Sequence, residues 1–107
     1  MNWIDEVNFE KNRALKSNHK GKIRVAARRM VLIAVKEFYN KNINDAILAL
    51  EEVKNQSKEN KFVEDAAARL ITRLDNNFLS PSVEPIKDAE IIISFISNNF
   101  TSLKRDK

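Results

Sequence analysis

Arg13 and His19 stand six residues apart in the run RALKSNH. A histidine can take or give a proton near neutral pH, and an arginine beside it can hold a phosphate oxygen while it does so. These two are the chain's candidate catalytic residues. The plainer alternative is a solvated histidine in a polar connector, which needs no further role. A second set is cationic. Lys20, Lys22, Arg24, Arg28 and Arg29 are crowded at the start of one apolar stretch, and Arg69 and Arg73 follow later. Planar guanidinium groups suit phosphate, so a converging cluster would bind phosphate or nucleic acid. An arginine inside an apolar element must otherwise pair with a carboxylate or reach water. On that structural reading the expected partners of Arg24, Arg28 and Arg29 are Glu64, Asp65, Asp88 and Glu90.

Other chemistry is thin. With one glycine the chain has room for neither a G-x-G-x-x-G turn nor a phosphate-binding P-loop. With one histidine and no cysteine it lacks the usual His-rich or thiolate metal sets, and no H-E-x-x-H is present. No serine sits in a nucleophile elbow. Glu51 and Glu52 are adjacent, so on a helix they point about 100° apart and do not form a carboxylate pair. No metal and no cofactor is expected, and a non-enzyme is favoured.

These residues must be positioned by helices. A single Gly and two Pro among 107 residues leave little for the tight turns of sheets. Hydrophobic residues at 43% and charged residues at 32% describe a globular chain of one domain, spanning 1–107. The net charge of +4 is partly local: Lys11, Arg13, Lys16, Lys20 and Lys22 occur without an intervening acid, and Lys104, Arg105 and Lys107 lie at the other end. That excess suits acidic partners or nucleic acid, or simply a solvated face. MNWIDEVNFEKNR has no apolar signal-like core, and no run approaches the roughly 18 apolar residues of a membrane span. A cytoplasmic protein without membrane contact is the expectation.

The stretch KIRVAARRMVLIAVKEFYN, residues 22–40, should be the central helix. Ile23, Ala26, Ala27, Met30, Val31, Ala34 and Phe38 share a broad face, and Val25, Leu32, Val35 and Tyr39 widen it. Before it, Trp3, Ile4, Val7, Ala14 and Leu15 predict a first helix capped by Asn2, with Phe9 off the stripe and Ser17–Gly21 as connector. Ile43, Ile47, Leu50 and Val53 predict a third helix with Asn44 as N-cap, followed by a loop over 54–61. The fourth should run over 60–77, with Asp65, Arg69 and Arg73 spaced for ion pairs along its flank. The fifth starts at Pro85, and a tail over 102–107 should fray. The expected fold is all-α, a compact bundle of about five helices with antiparallel up-down connections.

The helix AARRMVLIAVKEFY, following ALKSN after a short connector, resembles the central helix of HEPN domains. These are small all-helical modules found beside nucleotidyltransferases and in toxin systems. The resemblance covers about the first half of the chain. It implies dimerisation and, for the family's ribonucleases, an arginine followed after four to six residues by histidine, a pattern that Arg13 and His19 match. In the family that motif lies late in the domain with a polar residue after the arginine. Here it lies early, and Ala14 follows.

The functional expectation is a small non-catalytic helical interaction module that forms a homodimer or docks on a protein partner. Its motive is apolar surface on the second and fifth helices beyond what a small bundle buries. The alternative is an RNA- or DNA-binding module using the cationic set, extending to a HEPN-like ribonuclease using Arg13 and His19.

Overall fold

The computed structural model describes residues 2–39, 42–72 and 83–105, with side chains through 98. Five helices occur among them: α1 (Trp3–Leu15), α2 (Lys20–Phe38), α3 (Ala46–Gln56), α4 (Lys61–Ile71) and α5 (Pro85–Arg105). No strand occurs among the described residues, and the fold is an all-α bundle.

Local chemistry sets the helix starts. Asn2 caps α1 by accepting the Asp5 N–H at 2.9 Å, and Asn60 caps α4 by accepting from Val63 at 3.2 Å. The cap of α3 is Asp45, one residue beyond the expected Asn44. Its carboxylate accepts from Ile47 and Leu48 at 2.7 and 3.2 Å, and a charged acceptor bonds amide N–H groups better than a neutral amide. Asn44 instead accepts from Lys36 Nζ at 3.3 Å. Helix α2 begins at Lys20, so Gly21 lies in its first turn and not in a connector. A Cβ on Gly21 would meet the His19 ring at 3.1 Å, so glycine leaves room for the imidazole.

Helix α3 runs on to Gln56, past the expected stop near Lys54. Helix α4 stops early: Thr72 is already extended, well before the expected end at residue 77. The Thr72 hydroxyl donates to the Ala68 carbonyl at 2.9 Å, and Arg28 Nε donates to the Leu70 carbonyl at 2.8 Å. The Ala68 carbonyl also accepts the Thr72 N–H at 3.1 Å, whereas the Leu70 carbonyl is one of those that a helix end leaves without an intrahelical amide partner. The expected continuation through Arg73, Leu74 and Phe78 to Pro81 lies outside the described residues. So do Asn40 and Lys41 after α2. Helix α5 is continuous through Arg105, and residues 106 and 107 of the expected frayed tail also lie outside.

The core forms where small and branched side chains meet. Ala27, Met30, Val31, Ala34 and Val35 of α2 are fully buried against Ala49, Leu50 and Val53 of α3 and Ala89, Ile92 and Ile96 of α5. Val63, Ala66, Ala67 and Leu70 supply the α4 side, and Val7 the α1 side. Helix α2 packs on α1, α3 and α5 and touches α4, while α4 joins α3 and α5. Trp3 at the start of α1 meets Phe38 at the end of α2 edge-on at 5.0 Å. Glu10, further along α1, pairs with Arg29, earlier in α2. The two helices therefore run antiparallel.

Among the described side chains, the large apolar ones left outside the core are most numerous on α1 and not, as expected, on α2 and α5. Ile4, Phe9 and Leu15 of α1 are exposed, together with Val25 of α2, Leu48 of α3, Phe62 of α4 and Val83. Helix α5 contributes none among its described side chains, because α2 and α4 cover it.

One buried ion pair ties α4 to α5. Arg69 Nε and a terminal nitrogen donate to the two oxygens of Asp88 at 3.0 and 2.9 Å, and Asp88 is buried. The carboxylate pushes the Arg69 guanidinium pKa above its ordinary value. Removing the arginine takes the bidentate partner from a buried carboxylate, whereas removing both partners leaves no such carboxylate behind. Arg69→Met should cost about 1–3 kcal/mol in urea unfolding. Arg69→Met with Asp88→Leu should recover most of that loss.

Tyr39, at the C-cap of α2, gives a pH signature. Burial, helped by the charge of Glu52, pushes its phenol from 10.0 up to about 12. The folded state then holds a proton that the unfolded chain releases first. Stability should be unaffected by this group below pH 10 and fall as pH rises from 10 to about 12. Tyr39→Phe should flatten that limb of the urea-midpoint profile.

Candidate functional site

Where α1 ends and α2 begins, the antiparallel pair leaves a cleft of about 500 Å³. It is lined by Glu10, Arg13, Ala14 and Ser17 from the α1 side and by His19, Gly21, Lys22, Val25, Ala26 and Arg29 from the α2 side. That volume lies in the about 300–1,000 Å³ range of sites that enclose a small ligand or a few side chains. Lys22 and Arg29 are seven residues apart, so they project within about 20° of one another and about 10 Å apart along the axis. Val25 and Ala26 fill the space between them. The surface is an apolar floor with a cation at each end, and Arg13 faces it from α1.

Glu10 organises the cationic side. One of its oxygens lies 3.6 Å from Arg13 and the other 3.6 Å from Arg29. Its side chain is 13% exposed, while the arginines are more than half exposed at 59% and 55%. These separations give Coulomb attraction but exceed hydrogen-bond distance. Arg13 also lies over the Phe9 ring, 5.7 Å from its centroid, a cation–π arrangement that fixes its plane. Phe9, off the helix stripe in sequence, supports Arg13 in the fold.

His19 is the N-cap of α2. Its Nδ1 accepts the Lys22 N–H at 3.4 Å, and its own N–H donates to Ser17 Oγ at 3.1 Å. A ring nitrogen that accepts carries no proton, so the hydrogen of the neutral ring sits on Nε2. Arg13 and His19 both line this cleft, and the imidazole has a structural task there.

The other cationic residues do not join them. Lys20 is exposed at the start of α2 and does not line the cleft. Arg24 and Arg28 are four residues apart and leave α2 about 100–160° away from Lys22 and Arg29. Arg28 bonds the Leu70 carbonyl at the end of α4. Arg24 is only 9% exposed, and its Nε has no hydrogen-bond partner among the described residues. Arg69 is held by Asp88. Arg73 lies outside the described residues. The acids expected to serve the α2 arginines are engaged elsewhere: Glu64 and Asp65 with Lys61, Glu90 with Lys11, Asp88 with Arg69. Asp65 meets Lys61 at 3.2 Å, and its charge acts on Arg69 only after that of Asp88.

The acid that matters in the cleft, Glu10, was missed in the sequence. Its signal is the i, i+3 spacing to Arg13 on α1. Nothing in the spacing points to Arg29, which only the helix packing brings near. No group of three or more metal-ligating side chains gathers among the described residues, and no described helix is long and apolar enough to cross a membrane.

The His19 cap is long, and imidazole is not among the strong capping groups. His19→Ala should therefore cost only about 0.5 kcal/mol in urea unfolding. A loss above about 2 kcal/mol would assign the ring a larger structural role than one cap bond. No family model matches the chain, and neither a curated protein nor a solved structure matches it.

Proposed function

We propose that this chain is a non-catalytic helical interaction module that docks on a protein partner through the α1–α2 cleft. The observation that carries this reading is the make-up of the cleft: Ala14, Val25 and Ala26 as floor, with Arg13, Lys22 and Arg29 around it. Protein interfaces combine an apolar centre with a polar rim and favour arginine. Exposed Phe9, Leu15 and Val25, all on the two helices that form the cleft, support the same reading. The charge balance favours an acidic partner: three cations stand against Glu10, in a chain of net charge +4.

The test is a photo-crosslinking side chain at position 25, used in cells that make the protein. The expected product is a protein adduct whose yield drops at least about tenfold when Arg29→Glu is added. An adduct of the chain with itself, with a mass that doubles with concentration in light scattering, would assign the surface to a homodimer. Adducts with nucleic acid alone, or none, would overturn the reading.

A second reading has one observation in its favour, the shared cleft of Arg13, His19, Lys22 and Arg29. On it the module binds RNA or DNA, and in the HEPN-like form it cleaves RNA. Affinity would then fall steeply with salt as phosphate contacts release counterions. Cleavage abolished by His19→Ala would favour it; no mobility shift of RNA or DNA at low salt removes it.

A further inference from the structure

Glu10, Arg13 and Arg29 form an incomplete ion-pair set, and its geometry says what would complete it. Elsewhere in the protein an arginine meets a carboxylate closely: Arg69 holds both Asp88 oxygens at 3.0 and 2.9 Å. In the cleft each Glu10 oxygen faces one guanidinium at 3.6 Å, and neither contact is a hydrogen bond. Glu10 is tethered to α1 and largely buried, so it approaches the two arginines from below. Both arginine side chains are more than half exposed, and the centroid of the Phe9 ring lies 5.7 Å from the Arg13 guanidinium.

We propose that Arg13 and Arg29 form a clamp for one carboxylate side chain of an acidic, amphipathic helix on the partner, and that Glu10 is its internal competitor. The inference rests on the docking reading and adds to it the chemistry of the contact. In the free protein Glu10 offsets the repulsion between two neighbouring guanidinium groups and keeps them aligned. An incoming carboxylate takes the outer N–H groups at true hydrogen-bond distance, where Arg–carboxylate pairing is strongest. Apolar side chains one turn from it, on the Lys22 side, would lie on Val25 and Ala26. The acidic residue sits amid apolar ones because the cleft has cations at its ends and an apolar floor between. Glu10 still repels the visitor, so the contact is weaker than the clamp alone would make it.

The probe is a synthetic peptide of about fifteen residues, about four helical turns, with leucines on one face and glutamates beside them. A counterpart carries glutamine for every glutamate. Binding is read from the amide NMR shifts of the α1 and α2 residues lining the cleft, and affinity from fluorescence anisotropy. The acidic peptide should bind about tenfold more tightly than the glutamine peptide. Glu10→Gln, which keeps the shape and removes the competing charge, should tighten the acidic peptide about three- to tenfold and leave the glutamine peptide unchanged. Arg29→Lys, which keeps the charge and loses the fork, should weaken the acidic peptide severalfold.

Preference for the acidic peptide with no tightening by Glu10→Gln would overturn the competitor role while leaving docking intact. Equal binding of both peptides would overturn the clamp. Shifts caused only by inorganic phosphate or a short RNA, or no shifts at all, would overturn the docking reading and the clamp with it.

Discussion

Ala27 and Ala34 lie seven residues apart on α2, and neither has any exposed surface. With no side chain beyond Cβ, each lets a neighbouring helix approach α2 to the short end of the usual interaxial range of about 8–10 Å. The neighbours are built to match: Ala49 on α3, Ala66 and Ala67 on α4 and Ala89 on α5 are also fully buried. Larger residues interleave between them. Met30, Leu50, Leu70, Ile92 and Ile96 are the bulkiest fully buried side chains, each worth about 1.5–3 kcal/mol of apolar burial. The packing of α1, α3 and α5 around α2 is the constraint from which the rest follows.

That approach forces a solution for the basic residues of α2. A helix apolar on most of its circumference has few directions in which an arginine can leave. Arg28 leaves toward α4 and completes the end of that helix at the Leu70 carbonyl, a cap supplied from another element. Arg29 and Lys22 leave on the α1 side, where Glu10 provides the balancing charge. Arg24 is enclosed, and it makes neither a hydrogen bond through Nε nor an ion pair among the described residues. Polar links between the outer helices run the same way. Lys11 reaches Glu90 at 2.8 Å and Arg69 reaches Asp88, so α5 is fastened to α1 and to α4 within one turn, from roughly opposite sides. Their worth differs with burial. Lys11–Glu90 lies near the surface and contributes little, while Arg69–Asp88 fixes the relative position of two helices because Asp88 has few other directions to face.

The cleft is a by-product of the same geometry. Helices α1 and α2 are held together at one end by Trp3 against Phe38 and along their middle by Val7 against the core. At the other end the chain turns from α1 to α2 through Lys16–His19, and the facing side chains are small: Ala14, Gly21 and Ala26. Small residues there leave space that the bulky ones fill elsewhere. The exposed apolar surface follows, because α1 packs chiefly on α2 and, among the described residues, little else lies against its outer face.

Much of this was legible in the sequence. The absence of turn-forming residues and the 3.6-residue rhythm give five helices and make α2 the centre, because a helix apolar on so many sides has to be surrounded. The cap at Asn2 and the start of α5 at Pro85 are local and could be read locally. What sequence could not decide is which of several acids meets which arginine. Glu64, Asp65, Asp88, Glu90 and Glu10 are chemically equivalent as partners, and the choice depends on which faces the packing of α1, α4 and α5 brings together. The same holds for the stop of α4 at Thr72, where an arginine from another helix takes the Leu70 carbonyl. Spacing along one helix fixes directions within that helix; distances between helices are set by the volumes of side chains in contact, and those are properties of the assembled core.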